Sequence, residues 1–203
     1  MLVGLGLGPG NPDLLTLRAV RLLKDADTVF VPGRIAADLV APYRETVMLD
    51  FPMTDDDEKI RACLIANAEK IAPVAKDGLA VFGILGDPNF FSTFSRLCEI
   101  LKERYPEIEC LTEPGISSIT AFASAAGIPL AGSFVVSDGT TEQDSALIRL
   151  KARHPKKIID GLKHDGYREF VLVERMFFSD MKIYRNDEIP DISDYMSVLY
   201  ARR

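Results

Sequence analysis

Leu2-Val-Gly-Leu-Gly-Leu-Gly-Pro-Gly-Asn-Pro-Asp-Leu-Leu-Thr-Leu-Arg18 opens as a strand, breaks into a loop carrying Gly6, Gly8, Pro9 and Gly10, and resumes as a helix. Asn11 is a natural N-cap, Pro12 suits the first helical position and Asp13 complements the helix dipole. Leu15, Ala19, Leu22, Leu23 and Ala26 then recur at helical spacing. Glycine lets the backbone approach a ligand closely, so the candidate site begins at this turn. Two generic answers fail on spacing. After Gly4 and Gly6 the third glycine of a dinucleotide fingerprint falls on Pro9, and after Gly6 and Gly8 it falls on Asn11. No Gly-Lys-Ser/Thr follows, which excludes a phosphate-binding P-loop.

Outward from this stretch, strands alternate with helices. Residues 28–31 read as a strand ending at Pro32-Gly33, 35–41 as a short helix and 46–49 as a strand. Thr54 is expected to cap a helix that opens with Asp55, Asp56, Asp57 and Glu58, acids that suit a helix N-terminus, and that ends at Gly78. Residues 79–85 form a continuous apolar run, as in a strand buried on both faces, and lead into Gly86-Asp87-Pro88. A helix over 91–104, a strand near 108–111 and a helix closing at Gly127 follow. This alternation predicts an α/β fold with a mainly parallel sheet, in which ligands bind where loops leave the carboxyl ends of strands. The loops at 6–12, 86–91 and 113–118 all do so. Beyond residue 113 the pattern changes. Strands are predicted at 134–137, 146–150, 170–175, 181–184 and 195–201, with one helix from Pro155 to about His164. They imply a second, smaller domain with a mixed sheet, giving domains 1–113 and 114–203.

The bulk properties narrow the function. The 203 residues are 47% apolar and 27% charged, with no apolar run near the roughly 20 residues of a membrane span. The first residues enter strand pattern at once, without a basic leader, so a cytoplasmic protein is expected. Cys63, Cys98 and Cys110 are widely spaced and read as reduced, packed thiols. A net charge of −6 speaks against nucleic-acid binding but permits an anionic small molecule at a local basic cluster. His154 and His164 lie in polar surroundings away from any cysteine, so no metal site is expected.

Three loops read together carry a resemblance. Gly6-Leu-Gly-Pro-Gly-Asn-Pro-Asp-Leu-Leu-Thr-Leu17, Gly86-Asp-Pro88 and Pro114-Gly-Ile-Ser-Ser118 resemble, in order and spacing, the three motifs of the tetrapyrrole methylases. These are two-domain S-adenosylmethionine enzymes of corrin and sirohaem biosynthesis. Phe51-Pro-Met-Thr54, Gly86-Asp-Pro-Asn-Phe-Phe-Ser-Thr-Phe94 and the ending Asp194-Tyr-Met-Ser-Val-Leu-Tyr-Ala-Arg202 are similar to the branch acting on carbon 20 of precorrin-2 or cobalt-factor II. Asn11 stands where the family usually has Asp, and the chain is short around 32–38 and 139–146, which bears on the substrate rim.

The resemblance implies a cofactor cleft between the two domains and a cytoplasmic homodimer acting on a tetrapyrrole on the route to cobalamin, with no nucleic-acid or membrane partner. By motif, Pro9 shapes one wall of the S-adenosylmethionine site. Leu85, Gly86 and Asp87 present backbone groups, Phe90 follows them, Ser117 and Ser118 make a third contact, and Leu150 covers the adenine. Gly86 and Pro88 as turn formers, and the serines as helix caps, are the structural alternatives. Asp87 is either an acid facing the cleft or a turn former beside Pro88, and no catalytic side chain is assigned. Arg149, Lys151, Arg153, Lys156, Lys157 and Lys163 either attract substrate carboxylates or form the solvated face of a helix. The competing functions are methylation at another ring position such as carbon 11, diphthine synthesis, or a non-catalytic module that binds a nucleoside or tetrapyrrole.

Overall fold

The computed structural model describes residues 1–52, 54, 56–127, 129, 131–132, 136, 146–175 and 179–203. Two compact units, Met1–Asp138 and Gly139–Arg203, divide the chain. The segment after Glu113 thus groups with the first unit, whereas the division read from the sequence starts the second domain at residue 114.

In the first unit, β1 (Leu2–Gly6), β2 (Thr28–Val31), β3 (Thr46–Met48), β4 (Ala80–Ile84) and β5 (Cys110–Glu113) form a parallel sheet in the order β3-β2-β4-β1-β5. Between them run α1 (Leu17–Asp25), α2 (Arg34–Val40), α3 (Asp57–Asp77) and α4 (Phe94–Arg104), and α5 (Ser118–Ala126) follows β5. Every residue of β1 and β4 is buried, because successive side chains enter opposite layers. Leu2, Ala80, Phe82 and Ile84 pack with Leu64, Ile71, Leu97 and Leu101 of α3 and α4. Val3, Leu5 and Val81 pack with Ala19, Leu23, Leu39 and Val40 of α1 and α2. Helices therefore cover both faces, as a continuous apolar run demands.

Two helix starts differ from expectation. Asn11 caps only a 3-10 turn over Pro12–Leu14, its Oδ1 accepting from the Asp13 amide at 2.9 Å. Leu15 is extended and breaks that turn, so α1 begins at Leu17 with Thr16 Oγ1 accepting from the Ala19 amide at 2.9 Å. Likewise Thr54 does not cap α3. The Asp56 carboxylate takes that place, accepting from the Glu58 and Lys59 amides, while Thr54 Oγ1 accepts from the Asp56 amide. A charged acceptor at the cap outcompetes a hydroxyl two residues upstream. Met53 and Asp55, named in the sequence reading, lie outside the described residues.

In the second unit, β6 (Ala146–Leu150), β7 (Glu169–Glu174), β8 (Lys182–Arg185) and β9 (Ser197–Arg202) form a sheet in the order β6-β9-β7-β8. Among the described strands every pairing is antiparallel. Of the strand expected at 134–137, residues 134, 135 and 137 fall outside the described residues. One face packs Phe170, Leu172, Leu199 and Ala201 against Ile159 of α6 (Pro155–His164) and against Tyr167 and Ile189.

Candidate functional site

Because β4, β1 and β5 are adjacent and parallel, the loops that follow them leave one edge of the sheet side by side. These loops lock together through their backbones. Gly8 and Gly86 exchange hydrogen bonds, at 2.7 Å from the Gly86 amide to the Gly8 carbonyl and 3.3 Å in return. A Cβ on Gly6 would meet the Gly115 amide nitrogen and lie 2.7 Å from the Gly86 carbonyl oxygen. One on Gly115 would land on that same oxygen and lie 2.7 Å from Gly6 Cα. Glycine at both positions is what allows the first, second and third loops to touch.

Asp87 ties the junction from the side. Only 8% exposed, its carboxylate accepts from the Asn89 amide at 2.9 Å through Oδ1 and from the Gly115 amide at 3.2 Å through Oδ2. Each oxygen thus takes one backbone bond, the first holding the second loop in its turn and the other holding it against the third. This geometry supports the turn-forming reading of Asp87 over that of a proton acceptor. Gly86 has its own N–H and C=O taken up by Gly8, so it offers a bare Cα rather than free backbone groups. Its φ is +73°, and no protein atom lies within 4 Å of where a Cβ would stand. The cradle has apolar flanks, since Leu85 and Phe90 are 40% and 44% exposed. Pro9 is also exposed at the tip of the first loop. Ser117 caps α5, its Oγ accepting from the Ile119 amide at 3.3 Å, and Ser118 is the exposed first residue of that helix.

Pro9, Leu85, Gly86, Asp87, Phe90, Ser117 and Ser118 thus all belong to the loops at one sheet edge. Leu150 does not; it is the exposed last residue of β6 in the second unit. Three neighbours were missed by the sequence reading. Asn89 Nδ2 donates to Thr112 Oγ1 at 3.2 Å and fastens the second loop to β5. Phe91 is two-thirds exposed at φ 50°, a left-handed conformation that a bulky residue adopts only under constraint. Glu113, 7% exposed at the end of β5, pairs with Arg18 Nε at 2.9 Å. Burial pushes its carboxyl above the ordinary value and the Arg18 charge pulls it partly back. The Asp-Pro-Asn order was a visible turn signal for Asn89, whereas nothing in the residue type marks the strain at Phe91.

A cradle bounded by a bare Cα and exposed apolar side chains can hold a small molecule by shape, and the helix N-terminus beside it favours an anionic group on that side. Among the described residues, none of the site side chains named above forms a nucleophile–base pair. Of the basic cluster, Arg149, Lys151, Arg153 and Lys157 line a groove of about 530 Å³ in the second unit. Lys156 pairs with Asp191 at 3.0 Å. Among the described residues no cluster of His, Cys, Asp or Glu is arranged to hold a metal, and no helix is long and apolar enough to cross a membrane. The three cysteines are free, and Cys98 and Cys110 share a hydrogen bond that raises the first thiol and lowers the second.

Comparison with known proteins bears on this arrangement. The family model described as Tetrapyrrole (Corrin/Porphyrin) Methylases matches residues 1–186. The chain is 31% identical over 222 aligned residues to the "Probable cobalt-precorrin-2 C(20)-methyltransferase" of Methanocaldococcus jannaschii, covering 98% of this chain and 95% of that one. It is 34% identical over 142 residues to the cobalt-precorrin-2 C(20)-methyltransferase of Salmonella typhimurium, covering 64% of this chain and 58% of the relative. Among solved structures, the methyltransferase CobJ matches all of this chain and 93% of its own, with a TM-score of 0.51 at 22% identity. A cobalt precorrin-4 methyltransferase covers 99% of this chain and 94% of its own, with a TM-score of 0.50 at 21% identity. At those identities the two structures speak for the fold.

Proposed function

The chain belongs to the tetrapyrrole (corrin/porphyrin) methylases, and on that premise we propose that it methylates carbon 20 of precorrin-2 or cobalt-factor II, on the route to cobalamin. The observation that carries this reading is the interlocked triple loop, whose open Cα face at Gly86 leaves room for a ligand beside Leu85 and Phe90. The methyl donor in this reading is S-adenosylmethionine, which supplies an electrophilic methyl group on a sulfonium sulfur. Pro9, Leu85, Gly86, Asp87, Phe90, Ser117 and Ser118 would hold it, with Leu150 against the adenine. The residues present fit that group, since the cradle is flanked by the exposed apolar side chains of Leu85 and Phe90 and the Gly86 Cα faces open space.

The chain's own contribution is placement. An electron-rich tetrapyrrole carbon needs no strong base before it attacks, so the loops need only align the two partners and keep water out. In this reading Asp87 holds the second and third loops in that alignment. The relatives' names support carbon 20, as do Phe51–Thr54 and Ser92–Phe94 by resemblance. The family resemblance also supports a cytoplasmic homodimer, which sedimentation can check. Calorimetry with S-adenosylhomocysteine tests the site: near-stoichiometric binding is expected, and no detectable binding would end the cofactor assignment.

A further inference from the structure

Phe51, Pro52, Thr54 and Thr93, from the two stretches whose resemblance points to one branch of the family, are distant in sequence but line one pocket in the first unit. Phe51, Pro52 and Thr54 approach it from the segment after β3, Thr93 and Arg96 from the start of α4, and Ile60 and Leu64 from α3. Its volume is about 440 Å³, within the roughly 300–1,000 Å³ of pockets that enclose small molecules. The walls are firm. Phe51 packs on Phe82 and Phe82 on Phe94, with ring centroids 5.6 and 6.1 Å apart. The Asp50 carbonyl accepts from buried Asn67 Nδ2 at 2.7 Å and from the Cys63 thiol at 2.8 Å, which fixes the chain entering Phe51.

One stretch of chain links the pocket to the loop edge. A single segment runs from Gly86 to Arg96, and its bend is held by Ser92, whose Oγ donates to the Pro88 carbonyl at 2.6 Å and accepts from the Phe94 amide at 3.1 Å. Thr93 and Arg96 of the pocket are thereby tied along the chain to the loop that carries Gly86. The lining is mainly apolar, with two threonines, Cys63 and one guanidinium, that of Arg96. Arg96 Nη2 meets Asp57 Oδ1 at 3.4 Å, and both groups are well exposed. Such a surface pair is worth about 1 kcal/mol or less, so a ligand carboxylate can replace Asp57 with a bidentate contact. Asp56, the neighbouring acid, is occupied by its cap bonds and by Lys59 at 3.0 Å.

We propose that this pocket receives one edge of the tetrapyrrole, with a pyrrole ring against Phe51, Ile60 and Leu64 and one of its carboxylates on Arg96. The pocket thereby sets which ring carbon faces the methyl donor. The proposal rests on the reading given under Proposed function and adds a specificity-determining site to it.

Arg96→Gln removes the charge, and Thr93→Trp fills the mouth at a cap position whose side chain makes no capping bond. Three measurements on parent and variants separate the possibilities: S-adenosylhomocysteine affinity by calorimetry, uroporphyrin III affinity by fluorescence, and the position of a labelled methyl group after turnover of cobalt-factor II. Both variants should bind S-adenosylhomocysteine within about twofold of the parent. Arg96→Gln should bind uroporphyrin III at least about tenfold more weakly, as expected for a lost charge-assisted hydrogen bond. Thr93→Trp should lose transfer to carbon 20 or redirect it. Parent-like porphyrin affinity and labelling in both variants would overturn the pocket assignment while leaving the methyltransferase reading intact. A parent that transfers no methyl group while Arg96→Gln still loses porphyrin would sink that reading and spare the pocket. Equal loss of porphyrin on neutralising Arg149 and Arg153, with none at Arg96, would move recognition to the second unit and overturn the proposal.

Discussion

The two sheets of this protein present surface by opposite means. In the first unit β1 and β4 are buried on both faces, so these strands can meet a ligand only through their ends and the loops that leave them. In the second unit one face is packed and the other is open. Ile148 and Leu150 of β6, Tyr200 and Val198 of β9, Val171 and Val173 of β7 and Ile183 of β8 lie across from one another on that open face, all at least partly exposed. A site at strand ends is made of backbone, and its residues are chosen for what they leave out. A site on an open sheet face is made of side chains, and its residues are chosen for what they add. The first should therefore be brittle to small additions and the second tolerant of large deletions.

The largest effect is expected at the junction. Gly115→Ala forces a methyl group onto the Gly86 carbonyl and the Gly6 backbone, an overpacking that costs on the order of 1–3 kcal/mol. Thermal denaturation should show that loss, and S-adenosylhomocysteine affinity should fall about a hundredfold or more. An unchanged melting temperature together with parent affinity would mean that the loops do not depend on each other. Gly86→Val sharpens the point, since its Cβ meets no protein atom. It should abolish cofactor binding at a stability cost of only about 1–2 kcal/mol, from the left-handed backbone alone. Retained affinity there would make the open Cα face irrelevant to the ligand.

Asp87→Asn comes next. It keeps the volume but puts an NH2, which cannot accept, where one oxygen stood, so one of the two backbone bonds is lost; stability should fall by about 1–2 kcal/mol and affinity by about tenfold. Because the carboxylate holds loops rather than protons, the pH profile of turnover should keep its shape. On the open face, Leu150→Ala should leave stability within about 0.5 kcal/mol of the parent, as for exposed positions in general, and reduce cofactor affinity only a few-fold. A folding defect as large as that of Gly115→Ala would erase the contrast between the sheets.

The smallest effect concerns Glu113, whose carboxyl sits above its ordinary value of 4.5 because it is buried. A raised folded-state value means that protonation favours the folded form. Its contribution is fully present below the unfolded value and is lost as pH rises through the folded one. The melting temperature of Glu113→Gln relative to the parent should therefore rise as pH increases across that window, and a flat difference would show that burial does not strain the carboxylate.

Much of the fold was legible because its signals are local. The apolar run at 79–85 became β4, and Pro155 opened α6 at the predicted residue with the helix closing at His164. Helix starts were read two to five residues early, at Asn11 and Thr54, because several good caps stand close together and only tertiary context chooses among them. The antiparallel order of the second sheet was not legible, since strand direction is set by pairings distant in sequence. The candidate site divides the same way. The glycines and Asp-Pro mark their turns, but the steric lock between Gly6, Gly86 and Gly115 joins loops from three strands. The convergence of Phe51 and Thr93 on one pocket is likewise visible only once β3 and β4 lie in the same sheet.

The central claim is a methyl transfer whose regiochemistry the loops and pocket dictate. The protein should be incubated with S-adenosylmethionine carrying a carbon-13 methyl group and with precorrin-2 or cobalt-factor II, and the product examined by NMR for the ring carbon that bears the label. The label is expected at carbon 20 alone. Label at another ring carbon, or no transfer to either tetrapyrrole, would contradict the account.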